Sequence, residues 1–337
     1  MLVPKYYEDL TTLHLNTMPN RAYYIPASAS MNTAGEKRNC SDRFVLLNGN
    51  WKFRYYESIY DLKEKFFEEG FPAADFGEIP VPGVWQNYGY DRHQYSNIRY
   101  PFPLDPPYVP QDNPCGAYIH RFDYERRQDA PEAYLNFEGV DSCFYVWLNG
   151  VFIGYSQVSH CTSEFRVTDQ LRDGENVLAV LVMKWCDGSY LESQDKFRMS
   201  GIFRDVYLLL RPEQGIFDYF VKAVPEKDGR TASAPVNVAQ AEERQVEGKM
   251  ESDEKTGSAS GGIYCTGQID ITFKFFDKMI PVTCRLLDAG GNLVAERQTT
   301  DGRLHMEVEH PHLWNAEDPY LYTMIYETVC GNAREVI

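Results

Sequence analysis

The chain has 337 residues, 43% of them hydrophobic, and no apolar run near the ~18 residues of a membrane span, which excludes wholesale disorder and a helical membrane protein. Acidic residues outnumber basic ones 49 to 33, a net charge of −16 with no Lys/Arg stripe, so neither nucleic acid nor an anionic membrane is an expected partner. Aromatic residues reach 14%, with 24 Tyr and 19 Phe, a composition suited to the half-buried surfaces of an all-β chain with two or three domains.

Met1 to Tyr7 (MLVPKYY) lacks the basic and apolar regions of a secretory leader, so a cytoplasmic location is expected. The eight cysteines, Cys40, Cys115, Cys143, Cys161, Cys186, Cys265, Cys284 and Cys330, form no CxxC pair. Reduced thiols, without disulfides or zinc, are the expectation. Residues 1–42 mix polar and aromatic side chains without strand or helix period, and LHLNTMPNRAYYIP (Leu13 to Pro26) reads as an extended arm that must lie on something.

Strand signals begin at Arg43. VLLNGNWKFRYY (Val45 to Tyr56) predicts a turn at Asn48-Gly49 between two strands, with Trp51, Phe53 and Tyr55 on one face. Asp61 to Glu69 (DLKEKFFEE) predicts a short helix. Val81 to Pro110, dense in Pro, Tyr and Gly, predicts a long ordered loop of the kind that carries binding residues. Alternating strands follow at Ala117 to Glu125, Ala133 to Val140 and Cys143 to Gln157, the last folded about Asn149-Gly150. Glu164 to Leu171 leads into Asn176 to Trp185, nearly all apolar and therefore a strand buried on both faces. Ile202 to Arg211 completes about eight to ten short strands, a sandwich or jelly roll over residues 43–213.

Residues 214–337 read as a second, smaller sandwich of the immunoglobulin type. Ile216 to Pro225 alternates, residues 226–262 are polar and Gly/Ser-rich and read as a disordered insertion, and strands resume at Gly267. A Gly290-Gly291-Asn292 turn separates two of them. The sandwich is expected to lack its last strand.

Catalytic constellations are sparse. There is no GxSxG elbow, no HExxH and no phosphate-cradling Gly loop. His310 and His312 share a strand-like spacing but sit beside Pro311, Glu307 and Glu309, which suits a solvated turn as well as a metal. Carboxylates abound, yet retaining glycosidase chemistry needs two about 5 Å apart across one cleft, and no pair lies in a recognisable context.

Two segments carry more: GVWQNYGYDRHQYSNIRYPFPLDPPYVPQDNPCGAY (Gly83 to Tyr118) and WCDGSYLESQDKFRMSGIFRDVYL (Trp185 to Leu208). With LNGNWKF, the arm, and EHPHLWNAEDPYLYTMIY near the end, they resemble, in collinear order, the amino-terminal part of the bacterial β-galactosidases of glycoside hydrolase family 2. The resemblance implies a jelly-roll domain followed by an immunoglobulin-like domain, in a parent enzyme whose catalytic glutamates and magnesium site lie on a following (β/α)8 barrel. Hydrolysis by this chain alone is therefore not expected, and no catalytic residue is assigned. The parent would cleave terminal β-D-galactosides with retention, as a homo-oligomer in which the arm lies at a subunit interface.

By the same resemblance two residues reach the substrate site: Asn97 in YSNIRYP, bonding sugar hydroxyls or a water, and Asp195 in SQDKFRMSG. Asp195 would hold the galactosyl hydroxymethyl side and help ligate a sodium ion, a hard cation suited to oxygen ligands. Locally, Asp195 could instead cap backbone N–H groups and Asn97 could form an Asx-turn. Trp185, Phe197 and Arg198 read as buried supports. Lys196 stands where the family often has an apolar residue. A free-standing carbohydrate-binding module, or a purely structural protein, remains the alternative.

Overall fold

A computed structural model describes residues 2–29, 38–97, 99–192, 195–227 and 264–337. Two compact units emerge: Met1–Phe217 with Phe275–Ile280 and Glu327–Ile337, and Asp218–Lys274 with Pro281–Tyr326. The insertion expected at 226–262 lies outside the described residues except for its first two, which end a strand. The described residues are all-β, as expected, with one four-residue α-helix among them (α1, Ser189–Glu192).

The first unit holds β1 (His14–Leu15), β2 (Phe44–Leu46), β3 (Gly49–Tyr56), β4 (Gly77–Val81), β5 (Cys115–Tyr124), β6 (Glu132–Phe137) and β7 (Val140–Asp141). It continues with β8 (Cys143–Leu148), β9 (Val151–Gln157), β10 (Ser163–Arg166), β11 (Gly174–Met183), β12 (Gly201–Ile202) and β13 (Val206–Arg211). A seven-stranded sheet, β1-β9-β8-β11-β5-β3-β4, packs on a four-stranded one, β10-β6-β13-β2, and β12 and β7 form a separate ribbon. Trp51, Phe53, Val146 and Val180 from the large sheet meet Leu135, Phe137 and Leu208 from the small one in the core between them.

Strand β11 lies between β8 and β5 and is buried from Asn176 onward, as its apolar run implies. Leu178, Val180 and Val182 enter the core between the sheets, while Ala179, Leu181 and Met183 enter a second core on the outer face. That outer core is closed by Tyr7 of the arm and by Leu62, Phe66 and Phe76. Here the helix expected at Asp61 to Glu69 does not form. The segment is a run of turns closed by Asp61 N–H to Ser58 O and Glu68 N–H to Lys65 O. Tertiary packing overrides propensity: Phe67 stacks on Trp147 at 4.5 Å while Phe66 meets the same indole edge-on at 5.9 Å.

The two Asn-Gly pairs part company. Asn149 and Gly150, at φ 52° and 79°, form the two-residue hairpin joining β8 to β9. Asn48-Gly49 makes no hairpin, because β2 belongs to the small sheet and β3 to the large one. Asn48 accepts from Val206 N–H (3.0 Å) and donates to Asp205 (2.8 Å), so its side chain fixes the crossing between sheets. The arm lies along this unit. β1 extends the large sheet beside β9, Met18 N–H donates to Glu164 O, and Arg21 grips the Glu164 carboxylate with two nitrogens at 2.9 and 2.8 Å.

The remaining strands are β14 (Ile216–Lys227), β15 (Tyr264–Phe275), β16 (Val282–Leu287), β17 (Leu293–Thr299), β18 (Arg303–Glu309), β19 (Thr323–Cys330) and β20 (Ala333–Val336). In the second unit one sheet runs β14-β15-β18 and the other β17-β16-β19. β18 alternates strictly between buried and exposed residues and β16 between buried and half-buried ones, the pattern of a small immunoglobulin-like sandwich. Its core includes Phe273, Val282, Cys284, Met306 and Tyr326. The final described strand, β20, pairs antiparallel with the end of β19, and Val336 exchanges both backbone hydrogen bonds with Ala27.

Candidate functional site

The two segments singled out in the sequence are neighbouring loops of the first unit. Residues 82–114 join β4 to β5, and residues 184–200 join β11 to β12. They are stitched together along their length. At the base, Asn113 donates to Trp185 O (2.7 Å) and accepts from Trp185 N–H (2.9 Å). In the middle, the Tyr190 hydroxyl donates to Tyr108 O at 2.5 Å, and Phe102 packs edge-on against Trp185 and Tyr190. At the far end, Arg198 N–H donates to Gln94 O, Trp85 N–H to Ser200 O, and Ser200 N–H to Gln86 Oε1, all within 2.8–3.0 Å.

Asn97 and Asp195 are both exposed on these loops, and both have left-handed backbone, at φ 43° and 44°. The Tyr95 hydroxyl, two residues from Asn97, donates to Asp195 Oδ1 and so joins the tips of the two loops; the carboxylate raises the Tyr95 pKa. Tyr95 also packs against Phe197 at 5.7 Å. Neither local alternative is formed among the described residues: the Asn97 side chain makes no Asx-turn, and Asp195 caps no backbone N–H. Among the described residues, one Asp195 carboxylate oxygen and the Asn97 amide have no hydrogen-bond partner.

Beneath the tips lies a charged layer. Lys196 Nζ pairs with Asp141 Oδ2 at 2.9 Å, and Asp141 Oδ1 accepts from Ser142 and Ser159. Glu192 accepts from the Ser159 hydroxyl at 2.5 Å. Lys196 is thus the anchor immediately after Asp195, which gives a physical use to the position where the family often carries an apolar residue. Trp185 and Arg198 are buried, as expected. Phe197 is not: it is 57% exposed, because successive residues of an irregular loop need not share a side, and the neighbouring Arg198 takes the inward position. Burial lowers the Arg198 pKa, and its Nε and Nη1 have no partner among the described residues. Sequence reasoning missed Tyr95, Gln86 and Asp141 as the groups that hold the site. Tyr95 lay inside the quoted motif, but nothing local signals that its hydroxyl meets a residue 100 positions away.

Other expectations fall elsewhere. His312 pairs with Asp318 at 2.6 Å and stacks on Tyr320, and His310 turns the backbone at φ 47°. Among the described residues no group of three or more His, Cys, Asp or Glu side chains is placed to hold a metal ion. Seven cysteines are described as free thiols, and the Cys265 side chain lies outside the described residues.

A β-sandwich presenting two interlocked polar loops, followed by an immunoglobulin-like unit, does not by itself define a function, but the sequence defines a family: the chain belongs to glycoside hydrolase family 2. Residues 44–212 match the glycosyl hydrolases family 2 sugar binding domain, and residues 215–336 match a second glycosyl hydrolases family 2 domain. It is 43% identical to a β-galactosidase of Actinobacillus pleuropneumoniae over 337 residues, all of this chain and 29% of that protein. It is 38% identical to a β-galactosidase of Staphylococcus xylosus over 96% of this chain and 29% of that one. The chain thus spans under a third of the length of these relatives. Among solved structures, a Bifidobacterium dentium β-glucuronidase matches with a TM-score of 0.60 at 18% identity, over 86% of this chain and 45% of its own, a likeness of fold.

Proposed function

We propose that this chain forms the non-catalytic, sugar-binding and scaffolding part of a cytoplasmic β-galactosidase, with Asn97 and Asp195 completing a galactoside site whose catalytic carboxylates lie on a separate barrel domain. The observation that carries this reading is the interlocked pair of loops, joined at their tips by Tyr95 and Asp195, which leaves the Asn97 amide and the Asp195 carboxylate exposed. A sugar hydroxyl both donates and accepts. Asp195 offers an acceptor oxygen and Asn97 both a donor and an acceptor, and the bonds that join the two loops would help to position them for a sugar.

Sodium fits Asp195 as one hard-oxygen ligand, and its charge would polarise a bound sugar oxygen. A single carboxylate does not complete a shell, so the other ligands, and any magnesium site, would lie outside this chain. The arm, with Leu10 70% and Leu13 50% exposed, would meet another subunit of a homo-oligomer.

The test mixes the purified chain with a separately expressed barrel portion of a related β-galactosidase and measures hydrolysis of a chromogenic β-galactoside. Activity in the mixture alone, cut at least about 100-fold by Asp195→Ala, is expected, since the site would lose a charge-assisted hydrogen bond and a metal ligand. Absence of complementation together with tight galactoside binding by the isolated chain would instead make it a free-standing carbohydrate-binding module. Turnover by the chain alone would refute the assignment of the chemistry elsewhere.

A further inference from the structure

A cavity of about 500 Å³ opens beside the two loops, lined by residues of both but by neither Asn97 nor Asp195. One wall is pre-built from charge. Lys184 Nζ donates to Asp91 Oδ2 at 2.5 Å, with the two side chains only 5% and 13% exposed. Gln86 Nε2 donates to the same oxygen at 3.0 Å. Asp91 is therefore anchored through one oxygen, and its Oδ1 has no partner among the described residues. The Lys184 ammonium also lies 5.0 Å from the Trp185 ring centroid. Phe102 and Tyr55 complete an aromatic floor, and burial together with Asp91 and Glu57 raises the Tyr55 pKa, so its phenol remains a proton donor.

A buried ion pair is weak evidence for stability, because removing both charges from water costs as much as their attraction returns. On a cavity wall the same pair is a recognition device. Asp91 Oδ1 accepts from hydroxyls, Lys184 donates to a ring or hydroxyl oxygen, and the aromatic floor meets the C–H face of a sugar. The lining carries Glu57, Asp91 and Asp112 against Arg92 and Lys184, which disfavours an anionic ligand. The volume lies within the ~300–1,000 Å³ range of small-molecule sites.

We propose that this cavity is a second saccharide subsite, taking a neutral hexose or disaccharide through Asp91 and Lys184. The assignment rests on this wall and not on the roles proposed for Asn97 and Asp195. The test titrates the ¹⁵N-labelled full chain with galactose, lactose and glucuronate and follows the Trp185 indole N–H resonance, assigned with Trp185→Phe. Neutral sugars should shift that resonance with a millimolar Kd, and glucuronate about tenfold more weakly, reflecting the acidic lining.

Asp91→Asn and Lys184→Met should each weaken binding about tenfold, while Asn97→Ala combined with Asp195→Ala should change it less than about twofold. Because Lys184 is buried, the exposed Glu57→Gln provides a variant that keeps the fold, with about two- to fivefold weaker binding expected. No Trp185 shift at about 100 mM sugar, or equal affinity for glucuronate, overturns the proposal. So does a shift abolished by the Asn97/Asp195 double variant, or affinity unchanged by Glu57→Gln. A failed complementation between this chain and the barrel, by contrast, would bear only on Asn97 and Asp195.

Discussion

Arg211 of β13 and Glu335 of β20 form a two-pronged ion pair inside the first unit, with Nε to Oε1 at 2.8 Å and Nη2 to Oε2 at 2.6 Å, each side chain 1% exposed. Arg211 also donates to the Tyr24 hydroxyl and to Ile216 O, and its guanidinium lies 4.6 Å from the Phe276 ring centroid. Glu335→Ala removes the counter-charge and leaves this cation in a dry site. An uncompensated buried charge costs about 3–5 kcal/mol, and because Tyr24 and Ile216 still accept, the lower end, about 3 kcal/mol, is expected. Arg211→Met combined with Glu335→Leu removes both charges and should fall within about 1 kcal/mol of the wild type, since a thioether packs between Tyr24 and Phe276. Urea unfolding followed by tryptophan fluorescence reads this well. Trp51, Trp85, Trp147 and Trp185 are buried in the first unit, whereas Trp314 of the second is 61% exposed. With a slope of roughly 2–3 kcal/mol/M, Glu335→Ala should lower the first-unit midpoint by about 1–1.5 M. A shift below about 0.3 M, or a double variant no more stable than the single one, would refute this account of the pair.

Burial beside Trp51, on which it stacks at 4.7 Å, holds the His120 pKa down at about 4. The unfolded chain, with a value near ~6.5, binds the extra proton between those limits. Stability from neutral His120 is therefore fully present above about pH 6.5 and falls as the pH drops towards 4, by on the order of 2 kcal/mol after screening. His120→Phe should flatten that limb of the stability profile, and an unchanged slope would sink the explanation. Gly154 admits no side chain, since a Cβ there would stand 2.3 Å from Leu15 O and 2.7 Å from the Phe165 ring. Gly154→Ala should lift β1 from the sheet and cost about 1–3 kcal/mol, seen as faster amide exchange at residues 14–18. Gln86→Ala strips the acceptor from buried Ser200 N–H and a donor from Asp91. Exchange should rise together in residues 86–97 and 195–200, and a rise confined to one loop would show that the two are not coupled.

Where the chain's own pattern sufficed, it was local and repetitive. The unbroken apolar run at Asn176 to Trp185 could only be a strand covered on both sides, and β11 is central. Where it failed, the deciding partner lay far away in sequence. Asn48-Gly49 and Asn149-Gly150 are the same dipeptide, yet Asn48 is claimed by Asp205 and Val206, more than 150 positions downstream, and becomes a crossing between sheets. Asp61 to Glu69 has helix-forming residues, but Leu62, Phe66 and Phe67 have an outer core to cover. The site shows the same division. Motifs picked out both loops and the two residues at their tips, whereas Tyr95, Gln86 and Lys184 acquire their roles only through partners about a hundred residues away.

Those partners explain why long irregular loops can hold polar groups in place. Residues 82–114 would carry a large conformational entropy if free, since each ordered residue costs roughly 1–2 kcal/mol. Left-handed backbone at Asn97 and Asp195 adds to that cost. The backbone and side-chain bonds between the loops, with the aromatic wedge of Phe102, Trp185 and Tyr190, offset part of it before any ligand arrives. A sugar at the proposed rim would therefore meet groups tied into linked loops, but only two of them. At about 1–3 kcal/mol each they fall short of the ~4–15 kcal/mol lost in association, so the rim alone should not retain a monosaccharide. The cavity beside it is lined by the Lys184–Asp91 ion pair and by Tyr55, Phe102 and Trp185, a larger set of contacts on which the proposed weak binding by the isolated chain rests. On the proposed reading the rim would gain affinity only when a second surface closes over the sugar, which is the physical reason to expect complementation rather than binding from Asn97 and Asp195.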